Sequence, residues 1–398
     1  MLSQRSLFLQ HVAQTSNSPM GLEISRAEGV YLYDNAGKRY IDLISGINVS
    51  SLGHCHPSIV EAVQQQAALY MHTMVYGEFI QTPQVELAKY VTALLPEPLN
   101  TVYFTNSGTE ATEGAMKIAK RFTGRTDFIS FTHSYHGSTQ GALSLLGDEY
   151  FKSNYRPLLP GVRHIRYNTL EDLSHISSNT AAVFMELVQA EAGVIVPDDA
   201  YLKAVRARCN ETGTLLVFDE IQTGCGRTGA MFRLETVGVV PDILLLGKSF
   251  GGGLPLACFI ARKEVMGVIQ QNPVLGHITT FGGNALCCSA ALASLRVIKE
   301  QQLYSAVVEK AKLFREHLQH PAIHKITNCG LMMAVYLDNF NHLKAVIEVC
   351  LEKGLVTDWF LFADNCMRIA PPLIISEDQI IESCSIIREA LDIVYGNR

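Results

Sequence analysis

The chain has 398 residues, 48% of them apolar and only 18% charged, and 32 Lys+Arg against 38 Asp+Glu give a net charge of −6. Charge this sparse, against about 25% in ordinary soluble domains, excludes disorder, and mild acidity without charge runs excludes a nucleic-acid binder that neutralises phosphates. No stretch approaches the ~18 apolar residues of a spanning helix, so no membrane partner is expected. The opening MLSQRSLFLQHVAQ has neither a long apolar core nor a small-residue cleavage site, so it does not read as a signal peptide. Ten cysteines are scattered without a CxxC pair, which argues against a disulfide framework or zinc site and for a cytoplasmic protein. His54-Cys55-His56-Pro57 reads as a turn into a helix at Ser58, because those side chains cannot readily converge on one metal ion. Thr82-Pro83 reads as an N-cap with Pro at the first helical position, and Val85, Ala88, Val91 and Leu95 fall on one face. Strand-like runs then alternate with helical periodicity: VYFT at 102–105, a helix over 108–122, DFISF at 127–131 and AAVFM at 181–185. A helix over 199–212, TLLVF at 214–218, DILLL at 242–246 and LACFIA at 256–261 continue the series. Near-continuous apolar strands separated by helices predict an α/β fold with a mostly parallel sheet covered on both faces. Beyond about 300, polar helical stretches (301–320, 339–353, 376–394) surround short strands such as LMMAVYL at 331–337, as in a small α+β domain. The division expected is an N-terminal segment over 1–50 packing with the small domain, a large domain over 51–290 and the small domain over 291–398.

Ligands of such sheets bind beyond the carboxyl ends of the strands. There, Asn106-Ser107-Gly108-Thr109-Glu110 opens a helix, whose free N–H groups and dipole suit a phosphate or simply an N-cap. TLLVFDEIQTGCGRTG ends a buried strand in Asp219-Glu220, either functional carboxylates or a solvated pair. DILLLGKSFGGG ends another apolar strand in Lys248, where burial would lower the amine pKa and favour nucleophilic chemistry. Gly247-Lys248-Ser249 imitates the end of a phosphate-binding P-loop, but Asp242 stands where the first glycine must be, and the strand occupies the loop.

A helix N-terminus, a strand-end Asp and a strand-end Lys are together the parts of a pyridoxal phosphate site. The chain resembles the class III (ω-amino acid) aminotransferases of fold type I over nearly its whole length. The resemblance is carried by GVYLYDNAGKRYIDLISGINVSSLGHCHP, NSGTEATEGAMKIAKR, SYHGSTQGALS, MELVQAEAGV, FDEIQTGCGRTG, LLGKSFGGGLPL, TTFGGN and MRIAPPLII, in that order. It implies a seven-stranded sheet in the large domain and pyridoxal 5′-phosphate as cofactor. Lys248 would form the Schiff base and carry protons, and Asp219 would keep the pyridine nitrogen protonated so that the ring accepts carbanion electrons. Gln222 would bond the phenolic oxygen, Tyr135 and Ile221 would sandwich the ring, and Gly108 and Thr109 would take the phosphate. Thr280 would reach the phosphate in a neighbouring subunit, making a homodimer with shared sites. Arg368 would clamp the carboxylate of 2-oxoglutarate or glutamate, and Glu191 would pair with it when the donor enters. Ser138 and Thr279 join these as substrate-binding positions.

Departures from the family pattern concern the donor. Ser138 stands where acetylornithine and 4-aminobutyrate transaminases carry an arginine, and Asn17 and Ile47 stand where ornithine transaminases carry tyrosines. Thr112, Gly114 and Leu187 read as packing changes. The expectation is transfer of an amino group from an ω-amino donor (N-acetylornithine, 4-aminobutyrate, ornithine or a related compound) to 2-oxoglutarate by a ping-pong mechanism. An aminomutase or other non-transaminating enzyme of the same fold is the alternative, and a non-catalytic binding protein a further one. Arg368 with Glu191 speaks against the first, retention of Lys248 and Asp219 against the second.

Overall fold

The structure, a computed structural model, describes residues 3–396. The N-terminal part forms a sheet from β1 (Ile24–Glu28), β2 (Tyr31–Asp34) and β3 (Arg39–Asp42). The middle of the chain builds a seven-stranded sheet from β4 (Thr101–Thr105), β5 (Asp127–Phe131), β6 (Val162–Ile165), β7 (Thr180–Glu186), β8 (Leu215–Asp219), β9 (Ile243–Leu246) and β10 (Ala257–Ala261). Its spatial order is β4-β10-β9-β8-β7-β5-β6. Every pairing from β9 to β6 is parallel, and β10 alone runs antiparallel to both its neighbours. The mostly parallel, seven-stranded sheet is thus present.

Both faces of this sheet are buried, which is why its strands read as continuous apolar runs rather than alternating ones. Ile129, Phe131, Val183, Met185, Leu216, Phe218, Leu244 and Leu246 pack into one core. Their neighbours Phe128, Ala182, Phe184, Leu215, Val217, Ile243 and Leu245 pack into another on the opposite face. The helix Gly108–Thr123 belongs to that second core through Ala111, Ala115, Ile118 and Ala119. Ser107 caps its start and Gly124, in the left-handed conformation that an end cap requires, closes it.

The C-terminal part forms β11 (Lys325–Cys329), β12 (Met332–Tyr336), β13 (Leu355–Val356), β14 (Trp359–Phe360) and β15 (Ala363–Ile369). β13 leaves this group to pair in parallel with β3, and Val30, Ile41 and Leu43 share a hydrophobic core with residues between Val307 and Leu391. The helices Val307–His317, Phe340–Glu352 and Glu377–Tyr395 cover it.

Several local expectations shift. The helix after Gln81 spans Thr82–Ala93 with Gln81 at the cap and Pro83 one position further in, and Leu87 and Val91 rather than Val85 are its buried residues. The stretch 301–320 is broken: Gln302 at φ 50° starts a separate short turn at Leu303–Ala306 before the helix Val307–His317. β6, VRHI, was not anticipated because an Arg and a His interrupt its apolar pattern. The expected boundary at 290/291 falls within one continuous helix, Ala285–Glu300, whose Cys287, Cys288, Ala291, Leu295 and Ile298 pack in the large-sheet core. Among the described residues no helix is long and apolar enough to cross a membrane, and no cluster of His, Cys, Asp and Glu could hold a metal ion. His56 instead caps the helix Pro57–Leu69, and His54 bonds Asp42 at 2.9 Å.

Candidate active site

The carboxyl edge of the parallel strands converges on one cavity of about 270 Å³. β4 leads to Gly108 and Thr109, β5 to Tyr135–Ser138, β7 ends in Glu186, β8 in Asp219, and β9 stops two residues before Lys248. All of these residues line the cavity, with Val188, Ile221, Gln222 and Thr223. The structure therefore brings together Gly108, Thr109, Tyr135, Ser138, Asp219, Ile221, Gln222 and Lys248, residues spread over 140 positions of sequence.

Lys248 is only partly exposed and has a left-handed φ of 51°, a conformation costly for a non-glycine residue and typical of functional positions. Burial pushes its amine down to about 8, with Glu191 acting against the shift. Asp219 is buried; its Oδ2 accepts from His136 Nδ1 at 2.7 Å and its Oδ1 accepts from Ile221 N at 3.0 Å. The other ring nitrogen, Nε2, is buried without a partner. Glu186 accepts from the backbone N–H groups of Tyr135 and Ala190, and burial, reinforced by Asp219, pushes its carboxyl well above the usual range. Of the two neighbouring acids, Glu186 is thus the one that burial favours in its protonated form.

Close approach shapes the rest of the wall. A Cβ on Gly108 would stand 2.7 Å from Ile221 Cδ1, and one on Gly137 would stand 2.3 Å from Thr109 Oγ1. Thr109 Oγ1 meets Thr139 Oγ1 at 2.6 Å, and Tyr135 Oη meets Ser138 Oγ at 3.1 Å. Gly114 has a packing reason: a Cβ there would lie 2.2 Å from the Phe259 ring. Thr112 Oγ1 bonds the carbonyls of Gly108 and His136, and Leu187 lies in the core.

Gln222 connects this cavity to a buried ion cluster. Its Nε2 donates to Glu191 Oε1 at 3.1 Å, and its Oε1 accepts from Asn48 Nδ2 at 2.9 Å. Glu191 in turn takes both terminal nitrogens of Arg368, Oε1 from Nη1 at 3.1 Å and Oε2 from Nη2 at 3.0 Å. Burial alone would raise Glu191, but the Arg368 charge overcomes it and holds the carboxyl down to about 2. Asp358 accepts from Arg368 Nε at 2.8 Å.

Two expected residues lie elsewhere on this chain. Thr279 caps its own loop, accepting from Gly282 N at 2.7 Å, and lines a second groove of about 530 Å³ with Val75, Tyr103 and His277. Thr280 beside it is exposed. Exposed Val274, Leu275 and Ile278 line that groove, and Phe79, Ile80 and Phe281, also exposed, flank its lining segments in sequence, with Ile80 95% accessible. Asn17 is exposed and is not part of the cavity wall. Sequence reasoning did not assign His136, Glu186, Asn48 or Asp358. His136, Glu186 and Asn48 sit inside the quoted SYHGST, MELVQ and GINVSS motifs, adjacent to residues singled out there, whereas Asp358 carries no local signal.

The family model for aminotransferase class III matches residues 12–391. The acetylornithine aminotransferase of Methanopyrus kandleri is 39% identical over 369 residues, 92% of each chain, and that of Methanocaldococcus jannaschii is 38% identical over 89% of each. Among solved structures, an ornithine aminotransferase from Toxoplasma gondii superposes with a TM-score of 0.91 at 30% identity, covering 98% of this chain and 93% of that one. A transaminase from a marine Virgibacillus gives 0.91 at 27% identity over 98% of each. The chain belongs to the class III aminotransferase family. It is an aminotransferase of the pyridoxal phosphate-dependent kind. The cavity fits that cofactor on its own evidence: helix N–H groups at Gly108 and Thr109 for an anionic phosphate, a buried carboxylate for a ring nitrogen, and an amine of lowered pKa.

Proposed function

We propose that this enzyme moves the amino group of an ω-amino donor to 2-oxoglutarate in two half-reactions at one site. The observation that carries the reading is the two-point salt bridge between Arg368 and Glu191, joined through Gln222 to the wall of the cavity that holds Lys248. When bound, pyridoxal phosphate supplies an electron sink that makes loss of the substrate's α-proton feasible. Lys248 Nζ holds the cofactor between turnovers and moves the proton during them; an amine titrating near 8 serves both as acceptor and as donor near neutrality. Asp219, kept in place by His136, would hold the ring nitrogen. Ile221 and Tyr135 would bound the ring, Gln222, whose Nε2 keeps one hydrogen beyond its bond to Glu191, would donate to the phenolic oxygen, and the start of the helix Gly108–Thr123 would receive the phosphate. Arg368 is released for a substrate carboxylate when Glu191 withdraws, and is neutralised again when a carboxylate-free end enters. This alternation suits a pocket that must accept two unlike substrates in turn, and an aminomutase has no use for it.

The donor is the finer question. Ser138 and Ile47 take away the family grips on the donor's far carboxylate, so the donor reading rests on the relatives above, which are acetylornithine aminotransferases. We favour N-acetylornithine or a related ω-amino compound. A panel of N-acetylornithine, ornithine, 4-aminobutyrate and lysine, with 2-oxoglutarate as acceptor and glutamate formation as the readout, tests this. Glutamate formed from none of the four overturns the reading.

We also propose an obligate homodimer in which Thr280 completes the partner's phosphate site. The exposed apolar residues Ile80, Val274, Ile278 and Phe281 and the scarcity of charge support it. The three-part division at 1–50, 51–290 and 291–398 stands as our reading, with the helix Ala285–Glu300 running across the second boundary. The ten free cysteines, nine of them buried, fit a reducing compartment such as the cytoplasm.

A further inference from the structure

Arg368 carries two carboxylates, and only Glu191 belongs to the arrangement described for the reaction. The guanidinium uses its edges differently. Nε faces Asp358 alone, whereas the fork of Nη1 and Nη2 faces Glu191, and Nη2 also donates to Trp359 O at 3.1 Å. The fork is the edge that a substrate carboxylate can take in two-point fashion.

The two acids also differ in what carries them. Asp358 directly precedes β14, and Arg368 lies on β15, its antiparallel partner. Arg368 N donates to Asp358 O at 2.9 Å, Thr357 Oγ1 donates to Arg368 O at 2.6 Å, and the Phe360 ring lies 4.3 Å from the guanidinium carbon. Acid and arginine are thus built on one hairpin and move together. Glu191 comes from the segment after β7, outside the hairpin; its backbone carbonyl accepts from Phe362 N in the hairpin turn at 3.0 Å, and its carboxylate accepts, among the described residues and besides Arg368, only from Gln222 Nε2 and Leu361 N. We propose that the two carboxylates have divided duties: Asp358 is a fixed positioning residue that anchors Arg368 by its Nε edge, and Glu191 is the exchangeable arm that yields the fork to substrate. The inference rests on the reading of Arg368 as a carboxylate clamp. Once Glu191 withdraws, Asp358 and the Trp359 carbonyl are the polar groups still holding a long, rotamer-rich side chain in place.

Opposite signs for the two acids test the division. Glutarate, an unreactive dicarboxylate, is titrated calorimetrically into the holoenzyme, with thermal midpoints recorded for every variant. Glu191→Gln should bind glutarate more tightly, because a weaker competitor occupies the fork. Asp358→Ala should bind it about tenfold more weakly, equivalent to about 1.4 kcal/mol. Asp358→Asn, which keeps an acceptor opposite Nε, should stay within about threefold of the parent. If Asp358→Ala proves too unstable to load, Asp358→Ser, too short to reach Nε, carries the same expectation. Tighter or unchanged binding in the Ala or Ser variant, or equal losses in Asn and Ala, overturns the anchor. Glutarate affinity indifferent to Arg368→Ala overturns instead the clamp reading on which the proposal rests.

Discussion

Lys248 gathers several constraints: a left-handed backbone, a desolvated amine and two ion-cluster neighbours of opposite charge. Its replacement by Ala should give a protein that folds but does not hold the cofactor's yellow colour, with turnover lost by several orders of magnitude; absorbance and glutamate formation read both. The lowered amine also fixes a pH dependence. Below about 8 the amine is protonated and cannot attack, so cofactor uptake by the apoenzyme should accelerate as pH rises through about 8 and level off above it, in stopped-flow absorbance. A rate flat between pH 7 and 9.5 contradicts the assigned titration. At this scale the sequence was legible where chemistry and topology coincide. Lys248 and Asp219 follow apolar strands, so their placement at a sheet edge could be inferred from their neighbours. His136 meets Asp219 across 83 positions and Asn48 meets Gln222 across 174, and no local pattern announces a partner that distant.

Single elements explain which acids work and which build. Glu220, next to Asp219, turns away from the cavity and accepts from the N–H groups of Arg233 and Leu234 and from Thr223 Oγ1, capping the short helix Leu234–Val237. The pair read as Asp219-Glu220 is therefore divided between chemistry and architecture. Glu220→Gln removes an acceptor from buried N–H groups and should cost about 1–3 kcal/mol of stability. Burial pushes Glu220 up to about 7 in the folded state, above its unfolded value near 4.5. Between those values the folded state holds the proton more tightly, so this residue's contribution falls as pH rises from 4.5 to 7. Denaturant unfolding at pH 5 and 7.5 should show the parent's advantage over Glu220→Gln shrinking at the higher pH; an advantage that grows refutes the assignment. The strands themselves were legible because burial on both faces leaves a continuous apolar signature. β6 was not, since its His164 and Arg163 break that signature at the sheet's edge.

At the scale of the whole molecule, the groove lined by Val75–Glu78, Thr101–Phe104 and His277–Thr279 takes no part in the site around Lys248. Sedimentation should find a dimer, and Ile80→Asp with Phe281→Asp should shift it towards monomer and loosen cofactor retention together. A fully active monomer ends the shared-site proposal. The topology has a consequence for how the chain comes into being. β4 has its sole strand partner in β10, so Thr105 waits for Ala257, and β3 is paired by β13, so Ile41 waits for Leu355. Neither edge can close until most of the polypeptide has left the ribosome. Assembly is therefore a late, long-range event. The apolar segments β3 and β4 stay without these partners through much of synthesis, so each sheet closes around its earliest strands last.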